Sequence, residues 1–314
     1  NDEAHELFKL PEFVNKMMEN QWLGSKSGQG FYKKEGKEIL TLDLDTLEYR
    51  ASKKASFATL ELTKTIDKPI DRFKVLVKGK DKAGEFYRKN FASMFQYCSN
   101  RIPEITDAFY KIDDAMKAGF GWENGPFEIW DAIGIEKGIE LMKAEGYQPA
   151  SWVTDMLASG NTSFYSIKDG ATHFYSITNK KVEKIPGQDA FIILNNIRES
   201  KKIWNNSDSI ITDLGDGIIN LEFTSKMNSI GAGVLQGINK AIDIAEKDYN
   251  GLVIGNQGAN FSVGANLGMI FMMAVEQEYD ELNMAIKMFQ DTMMRCRYSA
   301  IPVIAAPHGM TLGG

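Results

Sequence analysis

Leu252-Val-Ile-Gly-Asn-Gln-Gly-Ala-Asn-Phe-Ser-Val-Gly-Ala-Asn-Leu267 and Ile301-Pro-Val-Ile-Ala-Ala-Pro-His-Gly-Met-Thr-Leu-Gly-Gly314 are built alike: an apolar run, a glycine-containing loop, then the start of a helix. Glycine lets a backbone approach a ligand closely, and a helix start leaves amide N–H groups unpaired. Two such loops side by side can aim two donors at one oxygen, which is the chemistry of an oxyanion hole. Apolar strands running into glycine loops also fill ordinary α/β cores, so spacing alone leaves both readings open.

The residues just before the first loop supply its support. Ser209-Ile-Ile-Thr-Asp-Leu214 and Ile218-Ile-Asn-Leu-Glu-Phe223 flank Gly215-Asp-Gly217 and read as a β-hairpin. Ile230, Val234, Ile238, Ala241, Ile242 and Ala245 then recur at spacings of three and four, giving a helix with one apolar face. With the strand Leu252 to Asn256, the order is strand, strand, helix, strand, loop. Ser225-Lys-Met-Asn-Ser229 reads as a helix entry with an exposed lysine. Further on, Met269 to Val275 and Asp280 to Tyr298 have helical patterning, through Leu282, Ala285, Ile286, Phe289, Met293 and Cys296 in the second. Their many methionines read as core filling.

Residues 1–160 are mostly helical by pattern. Gly24-Ser-Lys-Ser-Gly-Gln-Gly-Phe-Tyr32 predicts a tight loop entering a strand, with Gly30 at positive φ, so that Gly30→Val costs about 1 kcal/mol or more. In the stretch Ile112 to Gly134, one helix ends at Gly119 and another starts at Pro126, with Phe120, Trp122, Phe127 and Trp130 knotting the turn. An internal repeat is visible: Pro11-Glu-Phe-Val-Asn-Lys-Met-Met18 is echoed by Ala150-Ser-Trp-Val-Thr-Asp-Met-Leu157, and Phe31-Tyr-Lys-Lys by Phe164-Tyr-Ser-Ile. Each Phe-Tyr leads into a small hairpin, and His173 in the second is read as an exposed strand residue. The lysine-rich stretch Lys53 to Arg88 reads as a connector with a solvated face. Lys180 to Lys202 reads as the passage to the C-terminal domain, with the boundary near Pro186.

At 314 residues, 43% hydrophobic and 25% charged, the composition is that of a soluble globular chain of two domains or more. No stretch is long and apolar enough to span a bilayer, and a net charge of −6 argues against nucleic acid as partner. Cys98 and Cys296 fit two reduced thiols in a cytoplasmic protein. The chain begins at Asn1 without a methionine, which predicts a start partway through a longer protein.

Phe261-Ser-Val-Gly-Ala-Asn-Leu267 and Pro302 to Gly314 resemble the two signature segments of the enoyl-CoA hydratase (crotonase) superfamily, in order and separation. That resemblance implies a thioester oxygen held by the backbone amides of Ala265 and Gly314. It also implies an acyl-CoA pocket near Val263 and Leu267 that pliable methionines would suit, and a CoA-side loop with Lys226 and Asn228. The family's usual aspartate after the alanine is Asn266 here. The turn at Gly24 to Tyr32 and the Gly119-Phe-Gly-Trp122 to Asp131 stretch resemble the C-terminal helical domain of 3-hydroxyacyl-CoA dehydrogenases. In that family the helix carrying Asn100 lies near the active site, and the domains dimerise or duplicate, so a homo-oligomer is an expected partner.

Together these resemblances imply a multidomain fold. Residues 1–50 would end a first helical dehydrogenase copy with its hairpin, 51–88 connect, 89–186 form the second copy, and 187–314 form part of an α/β crotonase-like ββα domain. The implied parent is a bifunctional fatty-acid β-oxidation enzyme that hydrates 2-enoyl-CoA and oxidises 3-hydroxyacyl-CoA with NAD. NAD would be bound by a domain outside this chain, coenzyme A thioester would be the substrate, and no metal is expected. The hydratase's two acid/base glutamates would lie beyond Gly314, so this chain is expected to be inactive alone. The alternatives are a non-catalytic acyl-CoA-binding or assembly module, or a crotonase relative with isomerase or thioester hydrolase activity.

Overall fold

A computed structural model describes residues 4–66 and 68–313, a mixture of helices and sheets. The chain divides into two compact units, Asn1–Phe164 with Tyr175–Lys181, and Tyr165–Phe174 with Val182–Gly314.

In the first unit, α1 (Glu12–Glu19) leads through the glycine turn into a three-stranded antiparallel sheet of β1 (Tyr32–Glu35), β2 (Glu38–Leu42) and β3 (Tyr49–Ala51). The hairpin read from sequence thus carries a third strand. Gly24 and Gly28 hold positive φ in the turn, at 116° and 83°, and Gly30 does not. What Gly30 supplies is closeness, since a Cβ there would lie 2.8 Å from Gly24 Cα.

Residues 53–88 are more than a connector. They contain α2 (Ala58–Thr63), α3 (Pro69–Leu76) and the first seven residues of α4 (Lys82–Asn100). Asp81 joins them: one carboxylate oxygen caps α4 by accepting the Gly84 N–H at 3.0 Å, and the other accepts the Thr59 N–H of α2 at 2.9 Å. The remaining helices are α5 (Tyr110–Phe120), α6 (Pro126–Ile133), α7 (Ile135–Ala144) and α8 (Ser151–Ala158). Helix α5 runs through Gly119 and ends at Gly121, which takes the left-handed C-cap. Of the four aromatics expected to knot the turn, Phe127 and Trp130 are fully buried, whereas Phe120 and Trp122 are exposed. Trp130 stacks on Phe95 at 4.7 Å, and Phe109, Phe127, Trp152 and Phe164 complete the aromatic core. Both indole N–H groups are satisfied, Trp130 by Ile135 O and Trp152 by Ser99 O. The sealed Asp113 carboxylate of α5 accepts the Phe127 and Glu128 N–H groups and so caps α6 from a neighbouring helix. Burial, with the Asp113 charge nearby, pushes the Cys98 thiol up to about 12.

The Phe-Tyr repeat after α8 leads again into a three-stranded sheet: β4 (Tyr165–Lys168), β5 (Ala171–Ser176) and β6 (Lys181–Lys184), in order β4-β5-β6. His173 lies on β5, half-buried, its Nδ1 3.1 Å from Ala171 O.

The core of the second unit is a five-stranded sheet in the order β11-β10-β9-β8-β7. Its strands are β7 (Lys202–Asn205), β8 (Ser209–Gly215), β9 (Ile218–Phe223), β10 (Gly251–Ile254) and β11 (Val303–Ala305). A short helix, α9 (Leu194–Ile197), precedes it. Strands β7, β8 and β9 pair antiparallel, while β9, β10 and β11 pair parallel. Asp216 and Gly217 take φ of 53° and 75° in the β8–β9 turn, the backbone that an Asp-Gly pair favours. Helix α10 (Ala232–Asp248) crosses from β9 to β10 and buries Val234, Leu235, Ile238, Ala241, Ile242 and Ala245 against Ile211, Ile219, Leu221 and Leu252. Each larger aliphatic side chain so buried contributes about 1.5–3 kcal/mol. Ile230, expected on this helix, precedes it and is buried in the entering loop. Between β10 and β11 lie the first glycine loop, α11 (Leu267–Val275) and α12 (Tyr279–Arg297). None of the α11 side chains is buried, and Met269 and Met272 are more than half exposed, so its methionines do not fill a core. Among the described residues, no helix is long and apolar enough to cross a membrane.

Candidate functional site

The two glycine loops leave the C-terminal ends of the adjacent parallel strands β10 and β11 and stay together for their whole length. Phe261 N–H donates to His308 O at 2.9 Å, Ser262 N–H to Met310 O at 3.1 Å, and Leu312 N–H to Ser262 O at 3.0 Å. Side chains stitch the same seam: Asn260 Oδ1 accepts the Met310 N–H, and His308 Nε2 lies 2.8 Å from Gly258 O.

At the end of the seam Gly264 has φ of 85°, and a Cβ there would stand 2.7 Å from Leu312 O. Only glycine fits both the backbone angle and the gap. The Gly264 carbonyl accepts the Ile230 N–H at 2.8 Å. In a trans peptide the C=O and the following N–H point in opposite directions, so this bond turns the Ala265 N–H away from Ile230. The Ala265 N–H finds no acceptor among the described residues. Gly313 stands beside it, a Cβ on Gly313 falling 3.6 Å from Ala265 N. Gly314, expected as the second donor, lies outside the described residues.

Ala265 also lines a cavity of about 420 Å³. Its wall is made by the entry of α10 and the facing sides of α11 and α12, through Ile230, Leu235, Met269, Ile270, Ile286 and Phe289. The lining residues are all non-ionisable, with Asn266 and Gln290 the polar ones. Asn266 caps α11, its Oδ1 accepting the Gly268 and Met269 N–H groups at 3.1 and 3.3 Å. The arrangement pairs one unsatisfied amide donor with an apolar chamber, which suits a ligand whose polar carbonyl precedes a hydrocarbon tail.

The other residues singled out from sequence have separate places. Lys226 and Asn228 lie in a short 3-10 turn; the Lys226 side chain is exposed and has no ion-pair partner among the described residues. Met227 and Asn228 are both left-handed, at φ of 56° and 54°. Asn228 Nδ2 donates to Asn260 O at 2.9 Å, which ties this turn to the first loop. Val263 and Leu267 flank Ala265 without lining the cavity, and Leu267 is 75% exposed as the first residue of α11. Asn100 belongs to the first unit, at the end of α4, where its Nδ2 donates to Gln96 O at 2.8 Å. Sequence reasoning missed Ser262 and the Ile230 amide. Ser262 stands inside the quoted motif, but a serine in a loop carries no sign of its partners.

No family model matches the chain. It is 44% identical over 310 residues to a Bacillus subtilis protein named "Probable 3-hydroxyacyl-CoA dehydrogenase", covering 98% of this chain and 39% of that protein. It is 25% identical over 318 residues to a Rickettsia felis protein whose name describes a fatty acid oxidation complex trifunctional enzyme, covering 100% of this chain and 40% of that protein. The chain thus spans about two fifths of the length of the curated relatives it matches. Among solved structures, it is similar to an enoyl-CoA hydratase from Bacillus anthracis, with 20% identity, 32% of this chain, 40% of that one and a TM-score of 0.29. A human enoyl Coenzyme A hydratase domain-containing protein 3 matches at 26% identity over the same shares, also with a TM-score of 0.29.

Proposed function

We propose that the second unit handles an acyl-CoA thioester in fatty-acid oxidation, as part of an enzyme that hydrates 2-enoyl-CoA and oxidises the resulting 3-hydroxyacyl-CoA with NAD. The observation that carries the reading is the Ala265 N–H, without an acceptor among the described residues at the rim of an apolar cavity. The thioester oxygen would accept from Ala265 and from Gly314, with the acyl chain in the cavity and Lys226 toward the CoA phosphates. Attack of water on an α,β-unsaturated thioester moves negative charge onto that oxygen, and a donor already aimed there stabilises the enolate as it forms. The relatives' names supply the dehydrogenase and fatty-acid contexts. In this reading the first unit is the helical dehydrogenase region, Asn100 lies near that active site, and NAD is held elsewhere in the protein.

The test is Ala265→Pro, which deletes the N–H, beside Ala265→Ser, which keeps it. Both are made in a protein of the relatives' full length and checked for folding by thermal melt. Proline is expected to lower hydration of a 2-enoyl-CoA by roughly a hundredfold or more, on the order of 3 kcal/mol, while serine retains most activity. Oxidation of 3-hydroxyacyl-CoA should be little changed by either. A folded proline variant with near-normal hydration refutes the assignment of Ala265.

A further inference from the structure

Ser262 is 2% exposed and sits where the 226–228 turn and both glycine loops meet. Its backbone is engaged on both sides, the N–H with Met310 O and the carbonyl with the Leu312 N–H. Its hydroxyl does two further things. The Oγ donates to Asn228 O at 2.7 Å and accepts the Gly264 N–H at 3.0 Å.

That second bond has a consequence for Ala265. Gly264 joins two peptide planes, and glycine resists rotation about its φ and ψ less than any other residue. The Ser262 hydroxyl holds the plane before Gly264 by its N–H, and the Ile230 N–H holds the plane after it by its C=O. The Ala265 N–H belongs to the second plane, so its direction is set only while both planes are held. The Asn228 carbonyl orients the hydroxyl in turn. Because Asn228 is itself held left-handed and tied to Asn260, the hydroxyl's proton has one fixed acceptor and its lone pairs face Gly264.

We infer that Ser262 is a positioning residue whose hydroxyl aims the Ala265 amide at the thioester oxygen, an inference that rests on the acyl-CoA reading above. Ser262 does not touch the substrate. Its effect is on the angle of a donor, and a hydrogen bond weakens steeply as its angle closes. Ser262→Ala leaves the Asn228 carbonyl and the Gly264 N–H without the partner that now bridges them, and Gly264 keeps only the Ile230 bond to its C=O. Ser262→Thr restores the hydroxyl, and Ser262→Cys keeps the volume with a much weaker donor and acceptor.

The experiment is isotope-edited infrared spectroscopy of octanoyl-CoA labelled with ¹³C at the thioester carbonyl, bound to the 314-residue chain. Occupancy is matched by calorimetric titration. A donor aimed at the carbonyl oxygen lowers its stretching frequency, so wild type should show a shift to lower frequency on binding. Ser262→Ala should lose about half of that shift or more, and Ser262→Thr should recover it. A general loss of packing would weaken binding or lower the melting temperature without this pattern of loss and recovery. Ser262→Cys reads the same quantity should the alanine chain fail to fold, with a shift below wild type expected. No shift in wild type would overturn the acyl-CoA reading itself. A full wild-type shift in folded Ser262→Ala or Ser262→Cys would overturn the positioning role and leave that reading standing.

Discussion

Gly264→Ala tests whether the two loops close on each other as described. At φ of 85° an L-residue is strained by roughly 1–2 kcal/mol. The new Cβ would also lie 2.7 Å from Leu312 O, 3.1 Å from Leu312 C and 3.3 Å from Gly313 Cα. Ordinary carbon contacts begin near 3.5 Å, so the second loop must retreat by roughly half an ångström or more. Its retreat stretches the 3.0 Å bond from the Leu312 N–H to Ser262 O, at a cost of about 1 kcal/mol. The sum is about 2–3 kcal/mol, which for a unit of this size lowers Tm by roughly 4–12 °C. Calorimetry measures the shift, and hydrogen exchange across residues 256–266 shows whether it arises locally. Gly119→Ala is the contrasting substitution, because Gly119 lies inside α5 with open space where its Cβ would be. It should raise stability by about 0.5–1 kcal/mol. An unchanged melt in Gly264→Ala would refute the close approach of Leu312 to Gly264.

Two further outcomes concern the first unit. Asp113→Ala should cost about 3 kcal/mol or more in thermal or denaturant unfolding, because it removes a sealed carboxylate and strands the Phe127 and Glu128 N–H groups that it accepts. Asp81 is held below the ordinary carboxylate range, first by the Thr59 N–H and then by the Gly84 N–H. Its carboxyl is therefore more acidic folded than unfolded, so its contribution is fully present above the unfolded pKa, near ~4, and fades as pH falls through the lower folded value. In melts taken from pH 7 to pH 2, wild type should exceed Asp81→Asn most at neutral pH, with the gap narrowing below about pH 4. A gap that widens on acidification would reverse the sign argued here.

What could be read from the sequence was whatever one local cause decides. Asp216-Gly217 enforces its own turn, and the period of α10 names the face that meets the sheet, so β8, β9, α10 and β10 emerge from their residues alone. The loop pair was legible because its glycines sit at the ends of apolar runs. Boundaries failed where neighbours compete. Gly119 and Gly121 are two residues apart, and which of them ends α5 depends on which adopts the left-handed angle. Helices α2 and α3 were hidden by the lysines that flank them, at Lys53, Lys54, Lys64, Lys68 and Lys78, because so polar a setting obscures the short faces that bury Thr59 and Leu76. Phe120 and Trp122 show the converse error, since aromatic character alone does not say where a side chain will lie.

Helix α11 sharpens that last point. Leu267-Gly-Met-Ile-Phe-Met-Met-Ala-Val275 is apolar around its whole circumference, the pattern of a buried helix, yet none of its side chains is buried. Its start is fixed by a polar and local contact: Asn266 caps its first turn, and the same residue follows the amide assigned to the thioester oxygen. Asparagine and aspartate cap helices equally well, since both present a side-chain oxygen to the N–H groups two and three residues on. The departure from the resembled family's aspartate therefore leaves the loop geometry intact and changes only the charge beside Ala265. On the proposed reading a neutral cap would suit an oxygen that becomes negative, because a charged cap would repel it where the positive end of a helix attracts it. Asn266, one of two polar residues in an otherwise apolar wall, thus commits its side-chain oxygen to the helix start and not to the cavity.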